Sequence, residues 1–167
     1  MASACVEIKT TRAISAQLIR HRSFSFQEFS QRYATQATPP SIPQMRMAGS
    51  TNRQSSIEVD DLHNLDQWQI EAMVKLQEAI KVSYDAYISL IGAGFATETA
   101  RMALPLCTET HLYMSGTIRS WLHYLELRTQ TDTQAEHRML ANSIKAVLAQ
   151  KIPNILKLIE EQNAKNG

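Results

Sequence analysis

Residues 65–92 carry a single long helical pattern, and it limits the fold more than any other stretch. Met73, Leu76, Ile80, Tyr87 and Ile91 recur at steps of three, four or seven, while Lys75, Glu78 and Lys81 fall off that face. Gly92 and Gly94 end it. The spacing predicts a helix central to the core, with the other elements arranged around it. Ahead of it, residues 4–10 alternate, with Ala4, Val6 and Ile8 on one side, as in a strand. Thr10 or Thr11 then caps a helix whose apolar face holds Ile14, Leu18 and Ile19. Phe24 and Phe26 return to alternation. Behind the long helix come a short one from Thr97 stopped by Pro105, extended chain over 106–115, and a helix opened by Thr117. That last helix turns Ile118, Trp121, Leu122 and Leu125 inward. A final helical pair, 134–150 and 153–162, is split by Pro153. This mixture predicts an α+β fold, a small, twisted, mostly antiparallel sheet covered by helices.

Residues 35–60 read as a long loop inside one domain spanning 1–167. Pro39, Pro40 and Pro43 withhold backbone donors, and Gly49, Ser50, Asn52, Ser55 and Ser56 favour turns. Loops of this length are functional or disordered, and Arg46 and Arg53 suit a ligand or subunit contact as well as a mobile surface.

A chain of 167 residues with 44% apolar and 20% charged side chains can bury a core without staples. Its formal net charge of +1 gives no global field toward nucleic acid or an acidic membrane, so basic chemistry must be local. No apolar run approaches the about 18 residues of a membrane span. The opening residues show no basic leader or apolar signal core. Cys5 and Cys107 lack any CxxC spacing, which suits thiols in a reducing compartment, and a cytoplasmic protein is expected.

Local basic chemistry is concentrated at residues 19–33, IRHRSFSFQEFSQRY. Arg20, His21, Arg22 and Arg32 stand around Glu28, Ser30 and Tyr33. Guanidinium forks bind phosphate with paired charge-assisted bonds, and a serine hydroxyl adds a donor. On its own the cluster implies an anion site, or else arginines paired with nearby acids on a solvated face.

Arg20-His21-Arg22 followed by Ser30 resembles the signature of the flavin-dependent thymidylate synthases. Gln17 three residues earlier and the run Glu28-Phe29-Ser30-Gln31-Arg32-Tyr33 extend the likeness. So do ARMALPL at 100–106 and GTIRSWLHYLELR at 116–128. The resemblance covers nearly the whole chain and implies the thymidylate-synthase-complementing type of fold. It implies an enzyme, a methyltransferase that makes dTMP from dUMP with FAD, taking carbon from methylenetetrahydrofolate and reducing equivalents from NADPH. It further implies a homotetramer with shared active sites, and a segment before the first strand that is lacking here.

Residue by residue, the likeness implies a dUMP site of Gln17, Arg20, Glu28, Ser30, Gln31, Arg32, Arg101 and Arg128. Arg128 would face the uracil ring and stabilise developing negative charge. Arg20, His21, Arg22, Glu28, Thr117, Arg119 and His123 would contact FAD; at 117 many relatives carry Asn. Two phosphorylated ligands held close together need fixed cations to offset their repulsion.

Other signals point elsewhere less well. Cys107 follows Leu-Pro-Leu and the family uses no thiol nucleophile. Nothing in the sequence sets a base beside Ser30. The histidines, among them His21, His63, His111, His123 and His137, have no ligand spacing, so no metal is expected. A single-stranded nucleic-acid-binding module using Phe24, Phe26 and Tyr33, and a non-catalytic remnant of the same fold, are the alternatives.

Overall fold

The computed structural model describes residues 2–35, 38–49, 56–59, 64–152, 154 and 157. The first strand, β1 (Ser3–Thr11), leads directly into α1 (Arg12–Leu18). Thr11 caps that helix by accepting from the Ile14 amide. Next come β2 (Ser25–Glu28), the ribbon strands β3 (Arg46–Ala48) and β4 (Ser56–Glu58), and the long helix α2 (Gln67–Gly92). A short α3 (Thr97–Ala100) continues into a 3-10 turn, Arg101–Ala103, before β5 (Glu109–Thr117), α4 (Ile118–Arg128) and α5 (Ala135–Lys151).

The sheet has the order β1-β5-β2, antiparallel throughout. β5 lies centrally and pairs with β1 along its whole length, from Ser3 opposite Thr117 to Thr11 opposite Glu109. Alternation puts Ile8, Leu112 and Met114 on one face, and there they meet Ile14 and Leu18 of α1. Trp121, Tyr124 and Leu125 of α4 and Ala141, Ile144 and Leu148 of α5 complete that core. Phe24 and Phe26 pack at its edge, as their spacing predicted. Trp121 also donates its indole N–H to the Ala4 carbonyl at 3.1 Å, tying α4 to β1. Gly116 is required by packing, because a Cβ there would stand 2.5 Å from the Phe24 ring.

Three expectations change. The long helix is present, opened by a capping box between Asp66 and Gln69, but it is not central to the core. Of its described side chains only Ile80 and Tyr87 are buried, and neither belongs to the sheet-backed cluster. It leans on α3 and the 3-10 turn, while the sheet's apolar face is already filled by α1, α4 and α5. The stretch 35–60 is not all loop: β3 and β4 form an antiparallel ribbon in which Met47 faces Ile57 and Arg46 faces Glu58. An apolar pair beside an opposite-charge pair is what stabilises a two-stranded ribbon. Ile19, expected inward, is 50% exposed because α1 stops at Leu18 and the chain turns there. Arg53, His63 and the second member of the final helical pair (153–162, apart from 154 and 157) lie outside the described residues.

Candidate active site

A large crevice, about 860 Å³, is built between α1, α4 and the turn that opens α5. Gln17 and Arg20 reach it from α1 and the turn after it, and Arg128 from the end of α4. Arg46, Ser56, Asp132, Thr133 and Gln134 close the other side. Three arginines against one carboxylate make this a place for an anion. Among the described residues no carboxylate is ion-paired to Arg20, Arg22, Arg119 or Arg128.

Hydrogen bonds behind the crevice fix its two central side chains. The Arg128 Nε donates to the His21 Nε2 at 3.1 Å, which turns the terminal guanidinium nitrogens away from that contact. His21 must be neutral to accept there; burial first, then the Arg128 and His123 charges, lower its pKa to about 4. Gln17 is held at both ends of its amide. Its Nε2 donates to the Gln134 Oε1 at 2.6 Å, and its Oε1 lies 3.1 Å from the His137 Nδ1, the donor of that pair. His137 is fully buried, and burial, then Arg128 and His21, lower its pKa to about 4. Tyr124 packs beside the two imidazoles, its ring centre 5.1 Å from His21 and 5.9 Å from His137, which are 6.3 Å from each other. Burial raises its phenol pKa.

A second cavity, about 240 Å³, is lined by Arg12, Glu28, Phe29, Ser30, Gln31, Arg101 and Thr110. Glu28 accepts from Ser15 Oγ at 2.9 Å and Thr110 Oγ1 at 2.8 Å, so β5 and α1 hold it in place. The Gln31 Oε1 takes Arg12 Nη1 at 2.5 Å. Among the described residues Gln31 Nε2 and Arg101 Nε are buried without a partner, two donors of the kind a ligand oxygen would satisfy.

The dUMP residues named from the resemblance are therefore divided. Gln17, Arg20 and Arg128 share one cavity, Glu28, Ser30, Gln31 and Arg101 another, and no residue lines both. Arg32 lines neither; it pairs with Glu98 at 3.1 Å and lies over the Tyr33 ring. The flavin residues divide too. Arg119 and His123, one turn apart, share an exposed face of α4. Arg128, nine residues or two and a half turns from Arg119, points to the opposite side. Thr117 caps α4 by accepting from the Ser120 amide, and Arg22 is exposed.

Sequence reasoning missed Arg12, Gln134 and His137. Arg46 suited a ligand or subunit contact or a mobile surface equally, because a three-residue strand leaves no periodic signal to place it. Gln134 and His137 sit where the sequence shows only the start of a helix. Cys107 is half-buried, and burial raises its thiol pKa, which disfavours the nucleophilic thiolate. Among the described residues no cluster of His, Cys, Asp or Glu could hold a metal ion, and no helix is long and apolar enough to cross a membrane.

Residues 1–154 match the family model described as thymidylate synthase complementing protein. The chain belongs to that family. A probable flavin-dependent thymidylate synthase of Paramecium bursaria Chlorella virus 1 is 43% identical over 155 residues, covering 93% of this chain and 70% of the relative. A flavin-dependent thymidylate synthase of Synechocystis sp. is 39% identical over 160 residues, covering 96% and 72%. Among solved structures, the UMP/dUMP methylase PolB from Streptomyces cacaoi, bound with 5-Br UMP, is similar with a TM-score of 0.71 and 25% identity. The match covers 89% of this chain and 69% of that one. Membership of the thymidylate synthase complementing proteins, with that α+β fold, favours the enzyme over both the nucleic-acid module and the remnant.

Proposed function

We propose that this chain is a flavin-dependent thymidylate synthase, converting dUMP to dTMP. Methylenetetrahydrofolate would supply the carbon, and NADPH would supply reducing equivalents to FAD. The observation that carries the reading is the convergence of Gln17, Arg20 and Arg128 on one basic crevice, with Arg128 held from behind by a neutral histidine. Gln17 and Arg20 orient the nucleotide. Arg128 offers its terminal N–H groups to charge developing on the pyrimidine, and its Nε bond to His21 fixes their direction before substrate arrives. Gln31 Nε2 and Arg101 Nε fit a phosphate, being buried donors without acceptors. Arg22, Arg119 and His123 are exposed and fit an anionic cofactor. FAD, when bound, supplies hydride transfer; the protein's share is placement and electrostatics.

The division of these residues between two cavities and two faces of α4 supports a site completed by a second copy of the chain. So does α2, where Ile70, Val74 and Ile88 are exposed and lie on one side by helical spacing. We place the cavity of Arg101 on one protomer opposite the crevice of Arg128 on its neighbour, in a homotetramer of the cytoplasm.

The purified protein should show a flavin absorption band and oxidise NADPH faster when dUMP is present, with dTMP as product. Lack of any dUMP effect on NADPH oxidation, in a protein loaded with FAD, sinks the reading. Arg128→Lys should lower kcat at least tenfold, because an ammonium cannot reproduce the planar two-bond contact.

A further inference from the structure

Arg46 is the unexplained charge of the large crevice. It sits at the first position of β3, in a ribbon whose approach to the site no sequence pattern announced. Its side chain is only 8% exposed, and burial at that level is rare for arginine unless every donor is used. The donors are not all used. Arg46 Nη2 bonds the Glu136 carboxylate from the first turn of α5, but Nη1 is buried and has no partner among the described residues. Leaving such a donor unsatisfied costs the desolvation of a charged group, so a structure that keeps it invites an acceptor. Arg46 also lines the two adjoining cavities, the large one with Arg20 and Arg128 and a smaller one with Glu58 and Arg138.

We propose that Arg46 is a third ligand-binding guanidinium of the crevice, taking a phosphate or carboxylate oxygen of a bound ligand through Nη1 while Glu136 holds Nη2. Glu136 offsets the charge before the ligand arrives, which makes the burial tolerable, and points the free edge inward. Asp132, the one carboxylate lining both cavities, repels an anion there and limits how far the ligand extends. Naming the ligand as substrate or co-substrate rests on the reading under Proposed function. The phosphate would be that of dUMP, the carboxylate that of the folate.

The test compares wild type, Glu136→Gln, Arg46→Lys and the double variant Arg46→Met/Glu136→Gln, which avoids leaving the Glu136 carboxylate without its partner. Calorimetry would measure affinity for inorganic pyrophosphate, dUMP, deoxyuridine and methylenetetrahydrofolate on the FAD-loaded protein, with the melting temperature read alongside. The double variant should lose about tenfold or more in affinity for the ligand that Arg46 touches. Glu136→Gln should stay within about threefold and Arg46→Lys should fall between. Loss for dUMP but not deoxyuridine assigns the phosphate; loss for the folate alone assigns the carboxylate. Loss for pyrophosphate in a protein whose wild type shows no dUMP-dependent turnover keeps this inference and overturns the function. Equal affinities of wild type and double variant for every probe overturn the inference alone, whatever the melting temperature does. Absence of binding by the wild type to any probe overturns both.

Discussion

The sheet with its three helices and the long helix α2 differ in how they use apolar residues. In the first region Trp121, Tyr124, Leu125, Leu112, Met114 and Leu18 have no exposed surface at all. In the second, Trp68 is 71% and Val82 66% exposed, and the helix leans on the short α3 region instead of the sheet. α2 is about 39 Å long at 1.5 Å per residue, too long for the neighbours this chain offers it. The first region holds itself together, and the second leaves an apolar face exposed, the face the proposed assembly would cover. The proposed site falls on the seam, with Arg20 and Arg128 on the self-sufficient side and Arg101 next to α3.

The sharpest way to break this contrast is to charge the uncovered face. Ile70→Glu with Ile88→Glu should lower the particle mass in light scattering from four chains to fewer and abolish turnover, while the far-ultraviolet spectrum of the sheet region persists. An unchanged mass would show that α2 is not the covered surface. Next in size, Trp121→Ala should destabilise by about 3–5 kcal/mol in urea unfolding, through a cavity and a lost bond to Ala4. Val82→Ala at low protein concentration should stay within about 0.5 kcal/mol. Gly116→Ala should cost about 1–3 kcal/mol, because the Phe24 ring it would strike is wedged against Trp121 and Tyr124.

Acid should then act on the first region alone. His21 and His137 have pKa values of about 4 in the folded protein against 6.5 unfolded, so below pH 6.5 the unfolded chain binds more protons. Their contribution is complete above pH 6.5 and is lost progressively as the pH falls to 4. The urea midpoint should drop across that window, and less steeply in His137→Gln. The smallest effects are at the caps. Thr117→Ala should cost about 1 kcal/mol of global stability, while Asp66→Ala should fray α2 by a similar amount, seen as faster amide exchange there with the global midpoint unchanged.

Periodicity made the first region legible. Ala4, Val6 and Ile8, then Ile14 and Leu18, then Trp121 and Leu125 announce elements that meet one another, so pattern and packing agree. The same rule found the inward face of α2, where Ile80 and Tyr87 are buried, but misplaced the helix, since a stripe shows that a face will be buried and not against which element. The candidate anion cluster of Arg20, Arg22 and Ser30 stands out in the sequence because guanidinium and hydroxyl groups lie close together along the chain. The contacts of Arg46, Gln134 and His137 do not, because they depend on the closeness of segments ninety residues or more apart, as in Arg46 with Glu136 and Gln17 with His137.

Thr117 is both the last residue of β5 and the cap of α4, so sheet and helix meet without a linker. The pairing of Ser3 with Thr117 therefore anchors one end of a rigid rod that holds Arg128 at the other, eleven residues or about 16 Å away. A slip of β1 by one residue would drag that anchor by about 3.3 Å, farther than a hydrogen bond can stretch. Loosened strand pairing at the edge of the sheet would thus be felt as weakened nucleotide affinity at the far end of the helix, with every residue of the pocket intact.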